Sequence, residues 1–337
     1  MHFERRILIT GGAGFVGSHL VGACLAQGHE VHVIVRTPER AEHLRRSAGV
    51  IIQHEFDLRS EPDLRRCVRE VAPEVVYHLA ASPRRPLDAA FTDARSYFGE
   101  DIQIVISLLS AAAQSSLPPS AVICTGSLAE YGLAPRPYRE DAREAPVTLY
   151  GAGMVAATHL MAALQPRLPF PVATARLALV YGPGQSADYF VPALVDRCLA
   201  GARFLVRRPD DRRDLIHVDD VVAALTQMAN RPLPGAAVVN IATGIAPTMR
   251  EVARQVVEAT GADPGLVTFG RNSPEDGAPD LRGSPDRAAR LLGWRARISL
   301  TDGIRRLVAW HREHVDRPGD RPTIPRWTET RGMGATR

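Results

Sequence analysis

Short strand-like apolar runs recur along the first half of the chain, separated by stretches with helical spacing. The runs are Ile7 to Thr10, Val31 to Val35, "VIIQHEF" at 50–56, "VVYHLAA" at 75–81, "AVICTGS" at 121–127 and "PVATARLALVYG" at 171–182. The stretch "DIQIVISLLSAAAQSS" at 101–116 carries apolar residues at helical spacing and ends before Pro118 and Pro119. Strand and helix signals in alternation predict an α/β fold with a doubly wound parallel sheet. Beyond residue 182 the pattern loosens, through "RFLVRRPDDRRDLIHVDDVVAAL" and a helical "MREVARQVVEATG". A smaller C-terminal lobe over 183–315 is expected there, completing a cleft with the domain of residues 1–182 and exchanging some strand and helix with it. The tail from Asp316 is rich in Pro, Gly and Arg and is expected to be disordered.

Composition narrows the class. A chain of 337 residues suits one large α/β unit plus a lobe, and 45% hydrophobic with 23% charged residues is ordinary for a soluble globular protein. The net charge of +4 is mild, and no basic block has interleaved aromatics, so nucleic acid is not the expected partner. Cys24, Cys67, Cys124 and Cys198 stand far apart without metal-ligand spacing. They read as reduced, buried thiols, and no metal is expected. No apolar run approaches the roughly 18 residues of a membrane span. The apolar stretch after Arg5 and Arg6 is too short for a signal peptide, so a cytoplasmic enzyme is expected. All 41 Lys and Arg residues are arginine; the chain contains no lysine.

The first chemistry lies between the first strand and the first helix. Gly11-Gly12-Ala13-Gly14-Phe15-Val16-Gly17 sits where a dinucleotide-binding turn requires it. Gly11 permits the tight turn, Gly14 lets backbone N–H groups approach a pyrophosphate, and Gly17 lets helix pack on strand. The helix N-terminus at Phe15 and Val16 then faces the phosphates. The second strand ends at Arg36. A carboxylate there suits an unmodified ribose, whereas an arginine accommodates a 2′-phosphate. Arg36, helped by Arg40, therefore favours NADP(H), with NAD(H) left possible. Asp57 and Leu58 follow the third strand, where an adenine edge would lie.

Several ordered motifs carry a resemblance. They are "TGGAGFVG" at 10–17, "HLAA" at 78–81, "TGSLAEYG" at 125–132, "YGAGM" at 150–154, "YGPGQ" at 181–185, "RDLIHVDDV" at 213–221 and "LLGW" at 291–294. With them the chain resembles the extended short-chain dehydrogenase/reductases, the branch of nucleotide-sugar epimerases, dehydratases and 4-ketoreductases. The resemblance implies a Rossmann domain for NAD(P), lined also by Leu79, Ala80, Ala81 and Thr125, and a C-terminal lobe for a nucleotide-diphosphate sugar. It implies Ser127 and Tyr150 as catalytic residues. Arg213 is implied as a diphosphate contact, with Arg208 and Arg212 adding charge and Arg271 or Arg282 as a second contact. Ser82, Arg84 and Arg85 are implied beside the sugar, and Tyr181 on the substrate side. Family members commonly form dimers through two helices, here near 100–115 and 150–164.

Three departures shape the chemistry. Residues Leu128 and Ala129 stand where 4,6-dehydratases of the family carry an acid–base Asp-Glu pair, so elimination of water is disfavoured. Leu179 replaces an asparagine that contacts substrate phosphate, and Asp101 stands where the family often has asparagine. Met154 stands in place of the lysine that binds the nicotinamide ribose and lowers the tyrosine pKa. A tyrosine left near its ordinary value of about 10 stays protonated at neutral pH. A reductase needs that proton for the carbonyl oxygen, with Ser127 holding the same oxygen. A redox-type epimerase must first use the tyrosine as a base. The patterns "GS..EYG" and "GPGQS" look most like GDP-4-keto-6-deoxymannose reductases. Three readings remain open: a ketoreductase of modest turnover, an enzyme with a substitute cation such as an arginine or His159, and a silent NAD(P)-binding sensor or scaffold. A 4-epimerase is the alternative among enzymes.

Overall fold

The computed structural model describes residues 5–37, 39, 44, 50–81, 91–231, 233–271 and 280–315. Arg40, Ser82, Arg84, Arg85 and the tail from Asp316 lie outside the described residues.

The first half runs β1 (Arg6–Thr10), α1 (Phe15–Ala26), β2 (Glu30–Val35), β3 (Ile51–Glu55), α2 (Glu61–Val71) and β4 (Val75–His78). Next come α3 (Thr92–Arg95), a π-helical turn at Ser96–Asp101 that continues as α4 (Ile102–Ala113), β5 (Ala121–Ser127), α5 (Leu149–Leu164) and β6 (Val172–Leu177). The second half contains β7 (Leu179–Tyr181), α6 (Phe190–Leu199), β8 (Phe204–Val206), β9 (Arg212–Arg213), β10 (Leu215–His217) and α7 (Val218–Asn230). It ends with β11 (Ala237–Ile241), α8 (Met249–Thr260), β12 (Val267–Phe269), β13 (Asp280–Leu281), α9 (Asp286–Leu292) and α10 (Leu300–Val315).

Seven strands form one parallel sheet in the order β11-β6-β5-β4-β1-β2-β3. Both faces are covered, which is why its strands read as nearly continuous apolar runs. Ile7, Ile9, Val31 and Val33 point into one layer with Leu20 and Val21 of α1 and Val221 and Leu225 of α7. Leu8, Ile34, Val76 and Val122 point into the other with Leu64 and Val68 of α2 and Leu108 and Leu109 of α4. Strand order reverses between β1 and β4. The crevice beyond their carboxyl ends is where such sheets bind ligands, and the glycine turn and "HLAA" both lie there.

A third apolar cluster holds the smaller lobe together, joining α6, α8 and α10 through Leu194, Val252, Ile304 and Leu307. The run "PVATARLALVYG" does not form one strand. It leaves the large sheet at Leu177, and β7 pairs instead with β10 in parallel. In return, β11 comes back from the second half to the outer edge of the sheet beside β6. The four cysteines are free and buried. Among the described residues, no helix is long and apolar enough to cross a membrane.

Candidate active site

The glycine turn forms a tight cradle. Gly11 adopts a positive φ of 73°, and a Cβ there would run into the backbone of Leu79 and Ala80 at 2.7 Å. A Cβ on Gly17 would strike the carbonyl of Gly11. Only glycine permits both approaches. Helix α1 starts after Gly14 with no side-chain cap and no acidic residue in its first turn. Its leading N–H groups and positive dipole end suit a pyrophosphate, with Phe15 and Val16 at that turn. The residues present fit a dinucleotide.

Arg36 projects from the end of β2 and lies 3.7 Å from Asp57 through Nε. Asp57 is gripped more firmly by Arg59, which donates its backbone N–H and Nε at 3.0 Å and a terminal nitrogen at 2.7 Å. These hydrogen bonds hold the Asp57 carboxyl down to about 2, although partial burial opposes them. Leu58 packs against the second core layer. The ends of β2 and β3 thus bring Arg36, Asp57 and Arg59 together; Arg59 was not foreseen from the sequence.

The residues expected at the reacting centre lie where β5 ends. Ser127 opens a short 3-10 turn, Leu128–Glu130, as a capping box. Its Oγ accepts the Ala129 N–H at 3.1 Å, and Glu130 Oε1 accepts the Ser127 N–H at 2.9 Å. Helix α5 starts close by, capped by Thr148 Oγ1 on the Gly151 N–H at 3.0 Å. A Cβ on Gly151 would press on the Ala129 carbonyl, so the helix start lies directly against the turn. This brings the Tyr150 side chain beside Ser127, whose hydroxyl favours the ionised phenol. Tyr97, from the π-helical turn, meets the Tyr150 ring edge-on with centroids 6.1 Å apart.

Burial pushes the Tyr150 phenol up to about 12. The Ser127 hydroxyl opposes this, while Glu130, Tyr189 and Tyr97 add to it; none of these groups is a cation. Met154 is buried one helical turn after Tyr150. It lines a cavity with Ala80, Ala81, Thr125, Gly153 and Asp101. The structure therefore brings together Ala80, Ala81, Thr125 and Met154, and places Asp101 on the same wall. His78 forms part of this cavity, with Nδ1 2.7 Å from Thr10 Oγ1, and burial pulls it down to about 4.

His159 does not stand in for the missing lysine. Its side chain is 65% exposed and pairs with Glu144 at 3.3 Å, well along α5 from Tyr150. The expectation that Tyr181 faces substrate is also corrected. Tyr181 is 1% exposed, packed in the core of the smaller lobe, with its hydroxyl 3.4 Å from the Leu300 carbonyl. A tyrosine on a three-residue strand reads alike in sequence whether it faces a core or a cleft.

Among the residues expected to face substrate, Arg213 donates to Asp211 Oδ2 and to the Arg212 carbonyl, each at 2.9 Å. Arg208 donates Nε to the same Asp211 oxygen at 2.9 Å. Burial pulls the Arg213 guanidinium down, and Asp211 opposes it. The next residue, Asp214, is buried and accepts the N–H groups of Thr243 and Gly244 at 2.9 Å, which fixes this corner of the lobe. Arg212 turns away to the Ala246 carbonyl at 3.1 Å. Arg271 is exposed beyond β12, and Arg282 pairs with Asp280 at 3.1 Å. Leu179 is exposed at the start of β7.

Residues 7–242 match the model of the NAD dependent epimerase/dehydratase family. This chain belongs to that family. It is 32% identical over 324 residues to a UDP-glucose 4-epimerase of Mycolicibacterium smegmatis, covering 91% of this chain and 98% of that one. Its fold is similar to that of MoeE5 in complex with UDP-glucuronic acid and NAD, with a TM-score of 0.79 and 31% identity, over 91% of this chain and 99% of that chain. It is also similar to a UDP-glucose 4-epimerase from Thermotoga maritima with UDP-glucose, with a TM-score of 0.80 and 25% identity, over 92% and 99% of the two chains.

Within this family fold, five residues around Ser127 and Tyr150 escaped the sequence reading as their neighbours: Tyr97, Glu130, Thr158, Arg176 and Tyr189. Glu130 stood in a quoted motif, but its partners Thr158 and Arg176 lie 28 and 46 residues away. A buried arginine in an otherwise apolar strand, as in "VATARL", was the available signal, because such a charge requires a buried partner.

Proposed function

We propose that this protein reduces a keto group, at C4, of a nucleotide-diphosphate deoxysugar, with NADPH as its preferred reductant. The observation that carries this reading is the state of Tyr150: a half-buried tyrosine beside Ser127 whose surroundings disfavour ionisation, with Met154 where a cation would promote it. Such a phenol is ready to give a proton and poorly suited to take one at neutral pH.

When bound, the nicotinamide cofactor supplies the hydride. Tyr150 protonates the carbonyl oxygen as it becomes an alkoxide, Ser127 donates a hydrogen bond to that oxygen, and solvent restores the phenol proton. Leu128 and Ala129 carry no group that moves a proton, which argues against elimination. Gly11, Gly14 and Gly17 cradle the pyrophosphate, with Asp57 and Leu58 at the adenine and Leu79, Ala80, Ala81, Thr125 and Met154 towards the nicotinamide. Arg36 serves the 2′-phosphate. Arg213 and Arg271 serve the sugar-nucleotide diphosphate, with Ser82 and Arg84 beside the sugar. Residues 1–182 chiefly bind cofactor and 183–315 chiefly bind substrate. Exposed Ile106 on α4 and Leu149 on α5 support a homodimer through these helices. Four free, buried thiols suit a cytoplasmic enzyme.

A second reading is a nucleotide-sugar 4-epimerase, favoured by the 32% identity to the UDP-glucose 4-epimerase. The two separate on cofactor balance. Purified protein is given NADPH with 4-keto-6-deoxy sugar nucleotides, and NAD with 4-hydroxy ones. Net oxidation of NADPH with one new hydroxyl per cofactor supports the reductase. Interconversion of C4 epimers without net cofactor change supports the epimerase. Tight cofactor binding with neither outcome leaves a sensor or scaffold.

A further inference from the structure

One carboxylate joins the three elements around the reacting centre. Glu130 in the turn after β5 and Arg176 on β6 are both 0% exposed. Glu130 Oε1 accepts the backbone N–H of Ser127 at 2.9 Å. Its Oε2 accepts the hydroxyl of Thr158 on α5 at 3.0 Å and Nε of Arg176 at 2.7 Å. Burial pushes the Glu130 carboxyl up, and Arg176, the Ser127 N–H and the Thr158 hydroxyl oppose it; every contact of the two oxygens comes from a donor, which suits the ionised form. Arg176 passes a second nitrogen to Glu144 Oε1 at 2.6 Å and lies 4.6 Å over the Tyr131 ring. A Cβ on Gly126 would press on Glu130 Oε1, so a side chain there would displace the carboxylate.

The helix end of this network is in register with the chemistry. Tyr150, Met154 and Thr158 follow one another at spacings of four on α5, so they share one stripe of the helix. A hydrogen bond at Thr158 therefore sets both the height and the rotation of the stripe that presents Tyr150. A buried ion pair is a poor source of stability, because desolvation of both charges offsets their attraction. It is better suited to fixing geometry.

Resting on the reading of Ser127 and Tyr150 as the reacting pair, we propose that Glu130 is a positioning residue, whose single carboxylate ties the Ser127 end of β5 to the Tyr150 stripe of α5. The same carboxylate acts through space. Glu130 Oε1 on the Ser127 N–H holds that negative charge near Tyr150, where it opposes ionisation of the phenol; Tyr97 from the π-helical turn and Tyr189 before α6 are the other titratable groups near it. The Arg176 cation, which faces Glu130 from β6, is matched by Glu130 and Glu144.

Two variants test the two arms. Glu130→Gln keeps the shape and removes the charge. Thr158→Val removes one hydroxyl and keeps the ion pair, with Thr158→Ser as its rescue. The first readout needs no turnover: titration of protein labelled with carbon-13 at the tyrosine ring carbon bearing the hydroxyl, with the Tyr150 signal identified by its loss in Tyr150→Phe. Wild-type Tyr150 should resist ionisation up to the pH at which the fold is lost, and Glu130→Gln should ionise before it. Thr158→Val should lower kcat for reduction about tenfold or more, with KM and NADPH affinity near wild type, and Thr158→Ser should restore it. A folded, NADPH-binding Glu130→Gln whose Tyr150 titrates like wild type overturns the electrostatic arm. Thr158→Val with wild-type kcat, or with a loss that Thr158→Ser fails to restore, overturns the positioning arm. If Glu130→Gln does not fold, the Thr158 pair decides. If wild type reduces nothing, the proposed reaction fails, while the titration still decides the electrostatic arm, and a Tyr150 ring signal left unmoved by Thr158→Val overturns the positioning arm.

Discussion

Replacing Met154 by lysine restores the cation that Tyr150 lacks, and its effect can be worked from the structure. Burial lifts the phenol to about 12, roughly two units above an ordinary tyrosine and so about 3 kcal/mol against ionisation. A lysine amine about 5 Å from the phenol oxygen, at an effective dielectric of about 20, returns about 3 kcal/mol. The two effects nearly cancel, and Tyr150 should titrate near its ordinary value. The site has room for the longer side chain, because Met154 borders a cavity, and Asp101 on the same wall favours a charged amine. At pH 8 the ionised fraction of Tyr150 should rise from about 1 in 10,000 to about 1 in 100.

Alcohol oxidation, which begins by removing a proton, should then gain up to about 100-fold in kcat at that pH. Reduction starts from a phenol that is already fully populated and should gain much less. The equilibrium constant ties the two kcat/KM values together, so the bias must be read in kcat and in the pH profiles. The assay is saturating kinetics in both directions across alkaline pH, followed by NADPH absorbance. Oxidation by wild type should still be rising at the highest pH the fold survives, whereas Met154→Lys should level off earlier. A larger gain in reduction than in oxidation, or an unmoved profile, would refute the reasoning.

Other expectations follow from separate parts of the molecule. Arg36→Asp should turn cofactor preference from NADPH towards NADH, measured as the ratio of dissociation constants; an unchanged ratio removes Arg36 from the 2′-phosphate site. Arg176→Met leaves Glu130 buried without its cation and should destabilise the fold by about 3–5 kcal/mol, measured by urea unfolding; a loss below about 1 kcal/mol would mean that Glu130 finds other compensation. His78 is held neutral, with its pKa lowered from 6.5 to about 4 by burial. Because the folded value lies below the unfolded one, this contribution is present above pH 6.5 and is lost as the pH falls towards 4. The stability advantage of wild type over His78→Gln should therefore shrink by about 3 kcal/mol across that window, and a constant difference would show that His78 does not titrate in this way.

Much of the cofactor half was legible because its constraints are local. The glycine turn needs a strand before it and a helix after it, and both show in the apolar pattern. The run at 121–127 matches β5 residue for residue. The smaller lobe was less legible because its elements are defined by partners far along the chain. Nothing inside "PVATARLALVYG" marks the break at Ala178; the break exists because Leu179 to Tyr181 finds β10. Tyr181 was misplaced for the same reason, since its burial depends on α10. In the candidate site, Ser127, Tyr150 and Met154 were singled out by motif. The groups that set the character of Tyr150 were not, because Tyr97, Glu130 and Tyr189 converge from three separate elements. A residue type announces possible chemistry; its burial and its neighbours decide whether the chemistry is available.

The most direct test of Tyr150 as the proton donor in carbonyl reduction compares wild type with Tyr150→Phe. Each protein, with NADPH binding verified, is mixed with 4-keto-6-deoxy sugar nucleotides while NADPH absorbance is followed. The account predicts steady consumption by wild type and its loss in Tyr150→Phe at unchanged NADPH affinity. Equal consumption by the two proteins would contradict it.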